Sequence, residues 1–210
     1  MASGAARRAL GGTVLIEAER DPLLEAPDDL SRPPAYYPSP TVEEFLLAMC
    51  EGPYDEMRLL TLRGPRGEGK TSSWIEGCAM IAERLVREGR AGALPYRVAV
   101  VRDTWINLAR TVLLSFEDAR NFGLQIEFLD QQRQAVMRSP DGGEAVHFWF
   151  FGLDRPDDAD KLQGFQCGAL VIEEAAPAAG ISGGVPASVI GLGRTSVRQA
   201  RVPLRILMPM

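Results

Sequence analysis

Histidine occurs once in the 210 residues, at His147. It sits inside an aromatic run, His147-Phe148-Trp149-Phe150-Phe151, and reads as an ordinary strand residue, so Ser-His-Asp catalysis and histidine-ligated metal centres lack parts. Cysteine is also scarce. Cys50, Cys78 and Cys167 lie far apart with no C-x-x-C, so each reads as a small core residue, in keeping with a reducing compartment. No run approaches the ~18 apolar residues of a membrane helix, so no membrane partner is expected. The opening MASGAARRALGG carries two arginines but no apolar stretch long enough for a secretory signal, and a soluble cytoplasmic protein is expected. There is no excess of positive charge: 23 basic residues face 28 acidic ones, net −5, so any nucleic-acid contact must be a local patch. Internal repeats and low-complexity tracts are absent. What remains, 46% hydrophobic and 24% charged residues, is the composition of one ordinary globular domain.

The strongest signal is Gly64-Pro65-Arg66-Gly67-Glu68-Gly69-Lys70-Thr71, which meets G-x-x-x-x-G-K-[ST] at every fixed position. Glycines at 64, 67 and 69 allow positive φ, so that successive backbone N–H groups turn toward one centre and cradle a phosphate. Lys70 supplies a mobile charge for β- and γ-phosphates. Thr71 offers a hydroxyl to Mg²⁺, and with Ser72 it opens a helix whose N-terminus favours anions. The motif requires a strand before it and a helix after it. Met57–Arg63 is a short strand-like run, and Thr71–Arg87 places Trp74, Ile75, Cys78, Ile81, Ala82, Leu85 and Val86 at helical spacing.

A phosphate loop alone binds; hydrolysis needs a second, carboxylate-bearing strand. Ala169-Leu170-Val171-Ile172-Glu173-Glu174 provides one, about 100 residues downstream. On a strand beside the loop, Glu173 would reach the Mg²⁺ shell and Glu174 would act on the attacking water. Two roles at adjacent positions require the chain to leave the sheet there, which Ala175-Ala176-Pro177 permits.

Between these motifs, Tyr96–Val101 reads as a strand buried on both faces, followed by Arg102-Asp103-Thr104 and a helix marked by Leu108, Val112, Leu113 and Phe116. Arg102 is expected at the top edge of the sheet or on DNA. Leu124–Leu129, Gln134–Met137 and Ala145–Phe151 read as a meander or hairpin turning at Ser139–Gly143. Upstream, Thr41-Val42-Glu43-Glu44 reads as a capping box, with Phe45, Leu46 and Met49 on the buried face of its helix. Residues 1–40, with six prolines, read as an arm or linker, partly irregular; Thr13–Ala18 stays open between an edge strand and packing elsewhere. Residues 41–210 form the catalytic domain. The expected fold is α/β, a P-loop NTPase of the ASCE type: a mostly parallel central sheet flanked by helices, plus a small antiparallel meander.

These features resemble the ATPase domain of the large terminase subunit of tailed bacteriophages, the motor that packages DNA into proheads. The likeness rests on five segments: Ser39-Pro40-Thr41 and the phosphate loop with Arg66; Val100-Val101-Arg102-Asp103-Thr104-Trp105; Lys161-Leu162-Gln163-Gly164-Phe165; Glu173-Glu174-Ala175-Ala176; and Pro203–Pro209. The resemblance implies that residues 64–72 (Gly64, Pro65, Arg66, Gly67, Glu68, Gly69, Lys70, Thr71 and Ser72) bind ATP. It places Thr71 and Glu173 on Mg²⁺, and gives Glu174, Lys70 and Arg66 catalytic roles, Arg66 as a sensor or stabiliser of the γ-phosphate. Double-stranded DNA, a portal protein, a small terminase subunit and a homo-oligomeric ring on the portal are the implied partners, in the host cytoplasm and transiently on proheads.

Two departures stand out. Gln163 occupies a position where some relatives carry a trans-acting arginine, and glutamine cannot supply that charge. Arg155, Arg194, Arg198 and Arg201 remain open for that role, and the last three also for a basic lumen around DNA. The sequence stops at Met210, where relatives continue into a coupling residue and a nuclease, so a domain truncated at its C-terminal end, without nuclease activity, is expected. Two other readings stay open: another phosphate-loop motor of helicase or recombinase type, and a nucleotide-binding assembly module with little turnover.

Overall fold

Runs of apolar residues with no polar alternation become interior strands, because a strand covered on both faces has no side for water. The computed structural model describes residues 9–10, 13–17, 38–64, 69–129, 133–153, 156–175 and 184–210. Its strands are β1 (Ala9–Leu10), β2 (Thr13–Glu17), β3 (Met57–Arg63), β4 (Tyr96–Arg102), β5 (Ile126–Leu129), β6 (Gln134–Arg138), β7 (Glu144–Gly152), β8 (Ala169–Ile172) and β9 (Leu204–Pro209). Its α-helices are α1 (Pro40–Cys50), α2 (Lys70–Arg87), α3 (Trp105–Asn121) and α4 (Ala187–Arg194). The strands form one sheet in the order β1-β2-β3-β9-β8-β4-β7-β6-β5. From β2 to β7 all neighbours run parallel; β1 at one edge and β6 and β5 at the other are antiparallel.

Register assigns the faces. Leu170, Ala99 and Trp149 align across β8, β4 and β7, as do Val171, Val100 and Phe150. Phe148 and Phe150 meet Phe116 of α3 edge-on at 4.8 and 5.3 Å, and Phe148 lies 6.2 Å from Trp74 of α2. So α2 and α3 cover that face. On the other, α4 approaches so closely that a Cβ at Gly193 would lie 2.4 Å from the Leu170 side chain. Gly152, at the end of β7, allows a similar approach: a Cβ there would lie 2.3 Å from the backbone nitrogen of Trp105, where α3 begins.

Several expectations shift. The cap of α1 is Ser39, whose hydroxyl accepts from the Val42 N–H at 3.4 Å with Pro40 in the first turn, so Thr41 and Glu44 do not form the capping box. Proline's fixed φ suits the first helical position and moves the start upstream. Phe45, Leu46 and Met49 are on the buried face as expected, and Val42 joins them. Val86 is the exposed member of the α2 apolar set, because the core ends at Leu85. The meander is continuous with the main sheet, since β7 pairs with β6 on one side and β4 on the other. Thr13–Glu17 joins the sheet beside β3, with Ala9–Leu10 paired to its other edge; residues 1–8, 11–12 and 18–37 of the proposed arm lie outside the described residues. Cys78 and Cys167 are buried and Cys50 partly so; burial pushes the Cys50 thiol up to about 11 and Cys167 to about 12, which suits core thiols.

At the amino ends of the parallel strands, Arg205 of β9 is fully buried without a carboxylate partner among the described residues. Its guanidinium donates to the carbonyls of Met49 (2.8 Å), Glu51 (2.6 Å) and Leu204 (2.9 Å), so the charge closes the C-terminus of α1, where carbonyls point outward unpaired. Arg205→Met fills the volume but leaves those carbonyls buried and unbonded. It should cost about 3 kcal/mol, a fall in Tm of roughly 6–12 °C, read from thermal melts. An unchanged Tm would show that the carbonyls find other donors.

Candidate active site

In a parallel sheet the loops at the carboxyl ends of the strands share one edge, and crossing elements leave a cleft there. β3 delivers Gly64 to that edge, and α2 starts at Lys70. Gly69 caps α2 with φ +69°, a conformation that favours glycine; Gly64 does not have positive φ. Pro65, Arg66, Gly67 and Glu68 lie outside the described residues, and so does the expectation of a γ-phosphate role for Arg66. The Lys70 ammonium donates to the Gly64 carbonyl at 2.8 Å and closes the loop upon itself. Thr71 and Ser72 follow in the first turn of α2, both partly buried.

The two acids arrive from β8. Their strand is separated from β3 by β9, so loop and acids stand two strand spacings, about 10 Å, apart across the end of β9. Glu173 continues the β8 parity toward α2. There its Oε1 accepts from the Trp74 indole N–H at 2.7 Å, and the Thr71 side chain stands beside the same carboxylate. The chain turns at the next residue: Glu174 has φ +53°, its N–H approaches the Pro209 carbonyl at 3.4 Å, and its carbonyl accepts from Val185 at 2.9 Å. Glu173 is consequently buried, whereas the Glu174 side chain is 54% exposed. Adjacent glutamates thus occupy different environments, as the two-role reading of the sequence requires.

Arg102, at the end of β4, completes the group. Its guanidinium lies 2.7 Å from Glu174 Oε2, 3.9 Å from Glu173 Oε2 and, through Nε, 3.6 Å from Asp103 Oδ1. The Asp103 carboxylate is fixed by Asn107 and the Thr104 N–H, and Thr104 caps α3 by accepting from the Asn107 N–H at 3.1 Å, so the Arg-Asp-Thr segment is a helix start that aims the arginine. Of the two places the sequence allows for Arg102, the sheet edge is where it lies, between both acids. Trp74 reads from the sequence only as core. The available signal is that a buried indole N–H needs an acceptor, and the carboxylates at the end of β8 are the acceptors within reach of that face. Gln163 is exposed and bonds Asp160 at 3.2 Å.

The donor set decides which metal could bind. Among the described residues no group of three or more His, Cys, Asp or Glu side chains is close enough to hold an ion. A hydroxyl and one carboxylate in contact, Thr71 and Glu173, fit Mg²⁺, which is commonly held by one or two protein groups plus phosphate oxygens and water. The buried Nε of Arg102 has no hydrogen-bond partner, an unmet donor beside the two acids. A cavity of about 810 Å³ lies elsewhere, between the end of α2 and the β6–β7 turn, with Val86, Leu124 and Met137 among its lining.

The fold is a mostly parallel α/β sheet flanked by helices, with a small antiparallel part, and it is terminase-like. The structure of the large terminase of a thermophilic bacteriophage matches 83% of this chain with a TM-score of 0.54 at 13% identity. The same protein in complex with ADP matches 80% with a TM-score of 0.50 at 14% identity. The chain spans 39% and 37% of those chains. No protein-family model matches it, and neither does any curated protein.

Burial raises the Glu173 carboxyl above its ordinary range, with the Glu174 charge adding; Trp74, Thr71 and Arg102 pull the other way. A carboxyl whose folded pKa is raised costs stability when ionised, above that pKa, and costs none once protonated in both states. Glu173→Gln keeps an acceptor for Trp74 and removes the charge. It should melt higher than wild type at about pH 7, with the gain shrinking as pH falls toward about 4, in thermal melts across that range. A gain that is independent of pH would assign it to packing instead.

Proposed function

We propose that this chain binds ATP with Mg²⁺ and hydrolyses it, as the motor domain of a terminase-like machine that moves double-stranded DNA into a prohead. The observation that carries the reading is the meeting of Lys70 and Thr71 with Glu173 and Glu174 at one edge of the sheet, with β9 between their strands. The fold shared with a large terminase that has been crystallised with ADP supports it.

In this reading the loop at 64–71 wraps the phosphates with backbone N–H groups, and Lys70 exchanges the Gly64 carbonyl for β- and γ-phosphate oxygens. Arg66 adds charge on the γ-phosphate. Thr71 and Glu173 hold the ion, which supplies charge neutralisation on the phosphates. Glu174, at the solvent side of the pair, orients a water and accepts its proton. Glu173 cannot fill that role, because its carboxylate is engaged by Trp74 and Thr71. DNA, a portal protein, a small terminase subunit and further copies of the chain in a ring are the partners of this reading.

One observation favours a second reading, a nucleotide-binding assembly module with little turnover: Arg102 pairs with Glu174 at 2.7 Å and occupies the proposed base. A single experiment separates the two. With ATP and Mg²⁺, wild type should release phosphate, Glu174→Gln should bind nucleotide but release phosphate at least about 100-fold more slowly, and Lys70→Ala should lose binding. Equal release by wild type and Glu174→Gln would remove Glu174 from catalysis. ATP binding without turnover, even beside DNA and a portal, would favour the module.

A further inference from the structure

The arginines among the described residues differ in what engages them. Arg84, Arg102 and Arg138 are paired with carboxylates at 2.6–2.7 Å. Arg194, Arg198 and Arg201 are exposed and have no carboxylate within ion-pair distance among the described residues. Arg194 ends α4 and the other two lie between α4 and β9, in a stretch where residues 194–205 hold four arginines and no acid.

From this we infer that Arg194, Arg198 and Arg201 form a binding site for the phosphate backbone of duplex DNA, at the end of the sheet opposite the active site. The inference deepens the motor reading and rests on it for the choice of polyanion. The loop is built to hold its charges still. Buried Gln199 accepts from the Arg97 N–H and donates to the carbonyls of Ala93 and Pro95, all at 2.9 Å. The N–H groups of Arg198 and Gln199 both reach the Cys167 carbonyl, at 2.9 and 3.0 Å, and buried Ser196 donates to the Leu162 carbonyl. Arg201 stands at φ +65°, an uncommon conformation for a residue with a Cβ, and the Asp55 carboxylate accepts from its N–H at 2.7 Å. Burial alternates with exposure: Ser196, Val197, Gln199 and Val202 point in, and the three guanidinium groups point out.

Charge agrees with this placement. Residues 51–58, 84–97 and 194–204 supply the connections at this end of β3, β4 and β9, together with eight arginines against four carboxylates, Glu51, Asp55, Glu56 and Glu88. That is net +4 in a chain whose total is −5. Such a patch draws a polyanion, and guanidinium forks match phosphate oxygens in pairs. An acidic protein partner fits less well. Protein interfaces centre on apolar anchors, and of the exposed large apolar side chains among the described residues, Leu47, Val86, Ile106, Leu114 and Phe122, a single one, Val86, falls in these segments. β9 begins directly after the loop and ends where Pro209 meets the Glu174 N–H, so a single six-residue strand, about 20 Å long, joins the site to the active edge.

The test is anisotropy of a labelled duplex of about 30 base pairs titrated with the protein across a salt series, each phosphate contact contributing about 0.9 to the slope of log affinity against log salt. The Arg194→Ala/Arg198→Ala/Arg201→Ala variant should bind at least tenfold more weakly than wild type, with a slope smaller by about 2.7. Each single variant should lose about 0.9, and Arg110→Ala on α3, an exposed arginine elsewhere, should lose none. Thermal melts check that each variant is folded, and the single variants carry the test if the triple one is not. Triple-variant binding within twofold of wild type overturns the inference, as does wild type preferring polyglutamate to the duplex. Nucleotide binding measured in parallel keeps the two ideas apart. Loss of duplex binding in a protein that does not take up ATP leaves this site standing and removes the motor, and the converse removes only this site.

Discussion

A carboxylate placed among apolar neighbours must be held by donors or it will take a proton, and Glu173 is so held. The Trp74 indole and the Thr71 hydroxyl come from the first turns of α2, and the Arg102 guanidinium comes from β4. Glu173 itself comes from β8. The contact therefore ties the helix that follows the phosphate loop to a strand two places away in the sheet. Without it, the distance between loop and acids would depend on helix-on-sheet packing alone. Trp74 shows how deep the tie runs. Its ring lies edge-on to Phe116 at 5.7 Å, so the hydrogen bond at the site edge and the aromatic core between α2, α3 and β7 share one side chain.

β9 is the second constraint. It is last in the described chain but central in the sheet, with β3 on one side and β8 on the other. Its amino end is pinned by Arg205 to the carbonyls that end α1, and its carboxyl end meets both site strands: the Pro209 carbonyl faces the Glu174 N–H, and the Met210 N–H donates to Leu62 at 2.9 Å. A displacement along this strand would be felt at both ends, because a strand bonded on two sides slides only by breaking its ladders.

The sequence is informative where one residue type answers one physical demand. Apolar runs place β3, β4, β7 and β8, helical spacing places α2 to within a residue, and the α3 markers fall in the middle of that helix without fixing its ends. The pair Glu173–Glu174 is legible as two roles because a chain leaving its strand must give successive side chains different surroundings. Cooperation between distant residues is not legible. Nothing in the string links Trp74 to Glu173 across 99 positions, and Arg205 looks like any strand residue until its carbonyl partners in α1 are in view. The cap of α1 falls two residues from its expected place because Thr41 and Ser39 offer similar hydroxyls, and Pro40 decides between them.

The two acids differ finally in how freely they can move, and Arg102 sets the difference. It is buried, faces three carboxylates, and comes within hydrogen-bond distance only of Glu174. That partner is the half-exposed one, so water can take over at the Glu174 carboxylate, but the guanidinium is buried and would be left with an unmet donor, at a cost of about 1–3 kcal/mol. The Glu174 backbone is kept in place by the Val185 N–H whichever way the side chain points. Glu173 would strand the buried Trp74 indole N–H by leaving, and its own charge has no water beside it. The buried glutamate is therefore the more firmly held of the two, and its neighbour stands where the chain turns toward solvent.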